Sequence, residues 1–275
     1  MQKSVLVIGS GIAGISASLK LKTYGVNSVI IDKGRFIGGR ISSREIKDTN
    51  ETNYFFHGAQ FFTAKSKSFK KIIEQGIKNN FIKEFGNFHP PRFRGHKTMR
   101  EFLTNLTVNL NVQQNKKIVG LKPCQKGISV LKENIKTWQN FDAVISTIPS
   151  PQNFSLMEKF PELQKTLDKS SYDSCIALMF SFNEIPKNIP IYFDFNKKRG
   201  ILSWMACGSN LNVWTAHTKG PYANKNLNQN KDQLKKEILL AIQKALSKFQ
   251  NISEINFHSL HIWKYAKVKK ISNGI

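Results

Sequence analysis

The sequence predicts a mixed α/β protein, with a doubly wound, Rossmann-like domain and a second, β-rich α+β domain. Three observations predict this fold class. The chain opens with an apolar run that breaks into closely spaced glycines and continues as a helix, over residues 5–22. A second apolar segment, 141–147, has the length and composition of another buried strand. Between residues 175 and 217, short apolar segments alternate with turn residues, which is typical of a separate sheet.

The glycine turn is the motif that organises the first domain. It reads Gly9-Ser10-Gly11-Ile12-Ala13-Gly14 and follows the apolar residues 5–8. In a dinucleotide-binding turn, Gly9 makes the tight bend, Gly11 lets a pyrophosphate approach the backbone, and Gly14 lets the helix pack closely on the strand. The helix N-terminus then offers N–H groups and a partial positive charge to the diphosphate. The turn, including Ile12 and Ala13, is therefore predicted to bind a dinucleotide.

An acid after the second strand completes this motif. The apolar residues 29–31 end in Asp32, 18 residues after Gly14. A ribose hydroxyl needs an acceptor at this position. The alternative is a turn of small residues in an ordinary α/β unit that binds no ligand. Such a turn would not require an acid 18 residues after Gly14. Three glycines inside the apolar run argue against a secretory signal.

A glycine pair follows the acid. After Asp32 come Lys33 and then Gly38-Gly39-Arg40. Paired glycines let the backbone run close to a cofactor, and a guanidinium can bind two phosphate oxygens at once. This pattern separates flavin enzymes from nicotinamide dehydrogenases. We therefore predict that Lys33, Gly39 and Arg40 contact the cofactor, with Arg40 facing the pyrophosphate.

Later motifs extend these residues into a resemblance to a known family. The most specific block reads His57-Gly58-Ala59-Gln60-Phe61-Phe62-Thr63-Ala64. Residues 146–152 (Ser-Thr-Ile-Pro-Ser-Pro-Gln) and 261–266 (His-Ile-Trp-Lys-Tyr-Ala) continue it. Over residues 4–267 the chain resembles the bacterial renalase-like flavoproteins, which are relatives of the monoamine oxidases.

The resemblance implies that the cofactor is FAD and indicates where it binds. It implies that His57, Gly58, Ala59 and Gln60 lie beside the flavin ring. It also implies a backbone contact with the adenine end near Val119. A purely structural role for His57 stays open, and we favour it over a role as a catalytic base.

The resemblance also implies a substrate site. His261 and Trp263 would reach the flavin face, with His261 as the catalytic candidate, because an imidazole can hydrogen-bond a carbonyl or tune charge near the ring. Phe62, His217 and Trp263 would contact the substrate. Structural roles stay open for both histidines.

The activity implied is a two-electron oxidation. A substrate carbon would give a hydride to flavin N5, and molecular oxygen would take the electrons to form hydrogen peroxide. The expected small-molecule substrate is an isomer of a dihydronicotinamide dinucleotide. The alternatives are a flavin amine oxidase or desaturase on the same fold, or a truncated, non-catalytic dinucleotide-binding or basic scaffold protein.

The chain departs from the family near its end. Members of the family continue well beyond the His-x-Trp segment, through a Gly-Asp turn and a helix that complete the flavin site. This sequence ends at Ile275. We expect that the sequence is incomplete; the alternative is that the protein holds FAD poorly or not at all.

Composition limits the partners. The chain has 42 basic and 18 acidic residues, a net charge of +24. The lysines are spread along the chain and do not form one basic segment. We therefore attribute the positive charge to a general bias in amino-acid composition, and we consider a nucleic-acid partner unlikely. No apolar run reaches 18 residues, so no membrane span is predicted. Three widely spaced cysteines favour a reducing, cytoplasmic location and argue against a disulfide framework. No metal site is predicted.

The remaining elements follow from periodicity. Helices are predicted over 70–85, 98–106, 154–168 and 232–249. Strands are predicted over 108–112, 117–121, 129–132, 136–138, 141–147, 175–182, 189–195, 201–205, 212–217 and 258–263. We assign residues 1–65, 96–152 and 258–275 to the FAD-binding domain, and residues 66–95 and 153–257 to the substrate domain.

Overall fold

The structure is a computed structural model that describes residues 3–47, 52–249 and 255–270. Its strands are β1 (Ser4–Ile8), β2 (Asn27–Ile31), β3 (Arg44–Lys47), β4 (Thr52–Phe55), β5 (Ile82–Glu84), β6 (Phe93–Gly95), β7 (Asn111–Gln113), β8 (Ile118–Cys124), β9 (Gly127–Lys132), β10 (Gln139–Phe141), β11 (Ala143–Ser146), β12 (Ser171–Phe182), β13 (Tyr192–Asp194), β14 (Leu202–Cys207), β15 (Val213–Thr218) and β16 (Ile255–Lys270). Its α-helices are α1 (Ile12–Thr23), α2 (Lys67–Lys78), α3 (Met99–Leu106), α4 (Ser150–Asn153), α5 (Pro161–Asp168), α6 (Gly220–Lys225) and α7 (Lys231–Leu246). Short 3-10 helices span Gly39–Ile41 and Ser155–Met157.

The chain forms two compact units. The first unit combines the described residues within 1–40, 103–171 and 268–275, and the second combines those within 41–102 and 172–267. Each unit has its own apolar core.

The first unit is built on a parallel sheet with the strand order β11-β1-β2-β7. Every pairing in this sheet is parallel. The four residues of β1 from Val5 to Ile8 are all buried, so both faces of this strand are covered. A strand covered on both faces needs a continuous apolar run rather than an alternating one, which explains its sequence. An antiparallel sheet, β10-β9-β8, contributes to the same core. The predicted Rossmann-like fold class is thereby confirmed.

The second unit contains a five-stranded sheet with the order β13-β14-β15-β12-β16. Helix α7 packs against the core of the second unit through a stripe with an apolar residue at every fourth position. The stripe consists of Leu234, Ile238, Ile242 and Leu246, none of which is accessible to solvent. This spacing places all four side chains on one face of the helix, as the sequence predicts for 232–249.

Several predicted boundaries differ from the structure. The helix predicted over 70–85 ends at Lys78, because Asn80 adopts a φ of +58° and the Phe81 N–H donates back to the Gly76 carbonyl at 2.9 Å. This left-handed residue ends the helix, and the chain continues into β5. The strand predicted over 136–138 was wrong: its place as partner of β9 is taken by β10. The strand predicted over 108–112 begins later, at β7, and the one over 141–147 is shorter, as β11.

The two units do not follow the predicted domain boundaries. The described residues within 41–65 and 96–102, together with residues 258–267, belong to the second unit, and residues 153–171 belong to the first. Strand β16 lies next to β12 in the sheet of the second unit. Residues 271–275 of the predicted FAD-binding domain, and residues 48–51 of the polar segment before β4, lie outside the described residues. The division by function therefore stays a prediction.

Within the described ranges, no helix combines the length and apolar character needed to cross a membrane. In the same ranges Cys124, Cys175 and Cys207 are free thiols.

Candidate functional site

The glycine turn joins β1 to α1 in the first unit. Gly9 has a φ of +104°, and its N–H donates to the Ile31 carbonyl at 2.9 Å. A Cβ on Gly14 would lie 1.9 Å from the Gly9 carbonyl oxygen, so only glycine permits this approach of helix and turn. A Cβ on Gly11 would come no closer than 4.0 Å to its nearest neighbour, the Gly38 carbonyl oxygen. That side of the turn therefore has room for a ligand.

Helix α1 begins without a side-chain cap. Gly11 is the N-cap residue, it makes no side-chain cap hydrogen bond, and the first turn contains no acid. Ile12 and Ala13 follow as the first helical residues. The uncapped N–H groups and the positive end of the helix dipole favour a bound anion. The turn thus has the features of a diphosphate site.

The predicted glycine pair folds back onto this turn. The Gly38 N–H donates to the Ser10 carbonyl at 3.1 Å, and Gly38 forms a parallel bridge with Gly11. Gly38 and Gly39 have φ values of +125° and +51°. A Cβ on Gly39 would lie 3.7 Å from the Gly11 Cα. The structure therefore brings the two glycine segments together, and the exposed Arg40 follows them directly.

Asp32 follows β2 and is held by three hydrogen bonds. Its Oδ2 accepts from the Ser10 backbone N–H at 2.6 Å and from the Ser10 hydroxyl at 2.9 Å. Its Oδ1 accepts from the Gly34 N–H at 2.6 Å. A carboxylate can accept about four hydrogen bonds, so capacity remains for a ribose hydroxyl. Lys33 points elsewhere in the same unit, since its ammonium donates to the Gln152 side chain at 3.2 Å.

Sequence reasoning missed three residues around this edge of the sheet. The Gln114 amide donates to the Ser10 hydroxyl at 3.1 Å. The Thr147 hydroxyl donates to the Ile8 carbonyl at 2.9 Å. Ser10 occupies a variable position of the glycine motif, so the motif does not single it out. For Gln114 the only available signal was its position just after β7, the parallel neighbour of β2.

Val119 lies at a β-bulge. The pairing of β8 with β9 passes from Ile118 opposite Lys132 to Gly120 opposite Leu131, which leaves Val119 without an opposing residue. A bulged residue is left out of the regular ladder. This geometry is compatible with the predicted backbone contact to adenine, which stays a prediction.

In the second unit, the structure brings four predicted residues together. The His57 carbonyl accepts from the Trp263 indole N–H at 2.8 Å. It lies 3.0 Å from the His217 Nε2, which therefore carries a proton and donates. The His57 ring stacks on Trp263, with centroids 5.5 Å apart, and meets the His261 ring edge-on at 4.9 Å. These four residues are called the histidine cluster below.

The segment that follows His57 is held by two hydrogen bonds, one of them to strand β15. The Gln60 amide donates to the Thr215 carbonyl of β15 at 3.0 Å, and the Gly58 N–H donates to the Ser42 carbonyl at 3.2 Å. Ala59 between them is half-buried. The buried atoms His57 Nδ1, Gln60 Oε1 and Thr215 Oγ1 have no hydrogen-bond partner among the described residues. Buried polar atoms are normally paired, so these three keep unused hydrogen-bonding capacity beside the histidine cluster.

Burial sets the charge of the histidine cluster. It lowers the pKa of His57 to about 3, helped by the neighbouring His261 and Arg44. It lowers the pKa of His217 to about 4. It also lowers the pKa of His261, again with a contribution from Arg44. The three imidazoles are therefore uncharged at neutral pH. Sequence reasoning missed Arg44, whose guanidinium hydrogen-bonds the Ser259 hydroxyl of β16.

Phe62 lies in a different environment. Its ring contacts Phe69, Phe93 and Phe102, at centroid distances of 6.0, 6.3 and 4.9 Å. Phe62 and Phe93 also exchange two backbone hydrogen bonds of 2.8 Å. Its predicted contact with the substrate stays a prediction.

Residues 7–75 match the family described as the NAD(P)-binding Rossmann-like domain. The Rossmann-like domain of this chain thus contains the glycine turn, Asp32 and the glycine pair.

One curated relative is a probable zeta-carotene desaturase from Synechococcus elongatus. It is 28% identical over 139 residues, and the match covers 45% of this chain but only 28% of the desaturase.

Two solved structures share the fold over nearly the whole chain. A putative protoporphyrinogen oxidase from an Exiguobacterium species aligns with a TM-score of 0.74 and 9% identity, covering 99% of this chain and 88% of the oxidase. A redesigned putrescine oxidase aligns with a TM-score of 0.69 and 9% identity, covering 98% and 88% of the two chains. At such low identity the similarity shows the fold alone.

Proposed function

We propose that this chain is an FAD-dependent oxidoreductase. The observation that carries the proposal is the glycine turn, where an uncapped helix N-terminus, the unobstructed Gly11 and the acceptor Asp32 lie together. These features fit the diphosphate and the ribose of a dinucleotide. The glycine pair folded onto the turn, followed by Arg40, favours a flavin dinucleotide over a nicotinamide one.

The proposed reaction is of the renalase type. When bound, FAD would accept a hydride from a carbon of a dihydronicotinamide dinucleotide isomer and pass two electrons to dioxygen, which becomes hydrogen peroxide. The roles of this chain are binding, orientation and electrostatics. Arg40 offsets the pyrophosphate charge, and Asp32 accepts from the ribose.

We propose that His217 and Trp263 of the histidine cluster contact the substrate, with His261 as the catalytic candidate. The imidazoles of the cluster are uncharged at neutral pH, so they can donate or accept a hydrogen bond without adding a buried charge. Contact of residues 57–60 with the flavin ring stays a prediction, as does a cytoplasmic location.

A second candidate is an amine oxidase or desaturase on the same scaffold. This second candidate is supported by the partial sequence match to a desaturase and by the fold shared with a putrescine oxidase. The two candidates differ in the charge of the substrate, because dinucleotides are anions and most amines are cations at neutral pH.

The test is purification followed by substrate addition. We expect the protein, alone or after addition of FAD, to absorb near ~450 nm, and an isomeric dihydronicotinamide dinucleotide to bleach that band. Bleaching by members of an amine panel alone would support the second candidate. A protein that binds no FAD, yet binds DNA with steep salt dependence, would support the basic scaffold and contradict both enzymes.

Arg40→Ala tests the cofactor site itself. We expect FAD affinity to fall by about 2–3 kcal/mol, because the pyrophosphate loses charge-assisted hydrogen bonds. Arg35→Ala is the matched control, since Arg35 is exposed, lies in the same loop and has its guanidinium over the Phe36 ring. Equal FAD affinity of Arg40→Ala and the parent would contradict the role given to the glycine pair and its arginine.

A further inference from the structure

Three side chains form a hydrogen-bonded chain at the carboxyl ends of β1, β2 and β7. The Gln114 Nε2 donates to the Ser10 Oγ at 3.1 Å, and the Ser10 Oγ donates to the Asp32 Oδ2 at 2.9 Å. Ser10 is fully buried. The directions of these bonds follow from chemistry, because an amide N–H can only donate and an ionised carboxylate can only accept.

The other end of the Gln114 amide has no partner. Its Oε1 is buried, and no described residue donates to it. Two backbone hydrogen bonds hold the following loop against the acid: Lys116 N–H to the Asp32 carbonyl at 2.9 Å, and Asn115 N–H to the Gly34 carbonyl at 3.1 Å. An unpaired acceptor on a side chain anchored beside the ribose acceptor points to a ligand hydroxyl as its donor.

The nearby lysines are engaged with other groups. Lys33 donates to the Gln152 side chain and Lys116 to the Gln113 side chain, at 3.2 and 2.9 Å. The Arg35 guanidinium lies over the Phe36 ring. The two side chains bonded to the Ser10 hydroxyl, Asp32 and Gln114, both keep acceptor capacity. Two acceptors suit a pair of ribose hydroxyls, whereas a 2′-phosphate would be repelled by the Asp32 carboxylate.

We propose that Gln114, anchored by Ser10, is a specificity-determining residue that selects an adenosine nucleotide with free ribose hydroxyls. This inference rests on the proposed function, because it assumes that the glycine turn binds the adenosine diphosphate part of the cofactor. It goes beyond that function by assigning recognition of the ribose to a residue that directly follows a third strand, β7.

The test compares ribose hydroxyls with the protein side chain in a double-mutant cycle. ADP, 2′-deoxy-ADP, 3′-deoxy-ADP and adenosine 2′,5′-bisphosphate are titrated by calorimetry into the full chain, freed of co-purified nucleotide. We expect the parent to lose about fivefold in affinity with at least one deoxy nucleotide, since one neutral hydrogen bond contributes about 1 kcal/mol. It should bind the 2′-phosphorylated nucleotide more weakly than ADP.

In Gln114→Met, which keeps the length and removes both amide atoms, the penalty for that deoxy nucleotide should shrink below about twofold. Loss of a merely structural residue would weaken all nucleotides equally and leave the ratio unchanged. Gln113→Met is the matched control, because its side chain bonds Lys116 instead, and it should keep the parent's ratio. Ser10→Ala, which removes the anchor but keeps the backbone donor to Asp32, should shrink the penalty as well and serves if the methionine variant does not fold.

The outcomes separate the two levels of inference. If ADP does not bind the parent, the proposed function of the turn fails. If ADP binds and the deoxy penalties are the same in the parent and in the variants, the role of Gln114 is overturned. Equal or tighter binding of the 2′-phosphorylated nucleotide by the parent would also overturn it.

Discussion

At the scale of single residues, one arrangement occurs at both ends of β1. Ser10, just after the strand, donates its backbone N–H and its hydroxyl to Asp32. Ser4, at its start, donates the same two groups to Asp142, at 2.7 and 2.9 Å. The two sites differ in their surroundings, because Ser10 is buried beside the glycine turn and Ser4 is exposed.

This duplication gives a matched pair of mutations. Asp32→Ala should lower the free energy of unfolding by about 2 kcal/mol, because three donors lose a charged acceptor. It should also weaken nucleotide binding. Asp142→Ala should have the smaller effect on stability and none on nucleotide affinity. Chemical denaturation and nucleotide titration measure both quantities. Equal nucleotide affinities in the two variants would contradict the ribose role of Asp32.

The buried histidines predict a loss of stability in acid. An unfolded histidine titrates near pH 6.5, whereas the folded pKa is about 3 for His57 and about 4 for His217. Between the folded and unfolded pKa values, the unfolded state binds more protons than the folded state. The contribution of these histidines to the free energy of unfolding is therefore fully present above about pH 6.5 and is lost as the pH decreases. Each histidine should contribute a slope of about 1.4 kcal/mol per pH unit in that window.

Denaturation at several pH values between about 6 and 4.5 measures this slope. His217→Gln keeps a donor for the His57 carbonyl but does not titrate, so it should reduce the slope by one histidine's share. Thr215→Val, a non-titrating change on the same strand, should shift the stability and leave the slope unchanged. An unchanged slope in His217→Gln would show that His217 does not titrate as its burial implies.

At the scale of elements, the glycines of the β1–α1 connection have separable tasks. Gly14→Ala should destabilise the fold by about 1–3 kcal/mol, because its Cβ meets the Gly9 carbonyl at 1.9 Å. That clash outweighs the roughly 1 kcal/mol gained in helix propensity. Gly11→Ala should be tolerated within about 0.5 kcal/mol, since its φ of −76° suits any residue and its Cβ meets nothing closer than 4.0 Å.

We expect the opposite order for nucleotide binding, in which Gly11→Ala has the larger effect. Gly11→Ala places a methyl group where the pyrophosphate would approach, so binding should fall more than about tenfold in a protein of parental stability. If Gly11→Ala binds FAD as the parent does, the phosphates do not pass over this residue.

At the scale of the whole molecule, the net charge of +24 is the dominant property. A positive field accelerates the encounter with anions and slows the encounter with cations, and salt screens it over a distance of about 10 Å at 0.1 M. The second-order rate of flavin reduction by a dinucleotide substrate should therefore fall as ionic strength rises. With a cationic amine the same rate should rise. A stopped-flow series from low to high salt distinguishes the two, and a salt-independent rate would show that the field does not steer either substrate.

The sequence by itself determined the parts of this protein that are local in the chain. The glycine turn, the acid after β2 and the glycine pair lie within the first forty residues, and each conformation depends on residue type: only glycine accepts the positive φ of Gly9 or the close contact at Gly14. Periodicity likewise determined the core face of α7, because an apolar residue at every fourth position has one solution on a helix. The end of α2 escaped prediction, since it depends on a single left-handed asparagine.

Only the tertiary structure decided which distant residues meet. His57 is 160 residues from His217 and 206 from Trp263, yet its carbonyl is their common acceptor. Gln114 is 104 residues from Ser10. These contacts arise from the lateral order of strands, with β7 beside β2 and β15 and β16 on either side of β12. Periodicity shows that a segment is a strand but carries no information about its neighbours, because any apolar strand can hydrogen-bond with any other until packing of the whole sheet selects one order.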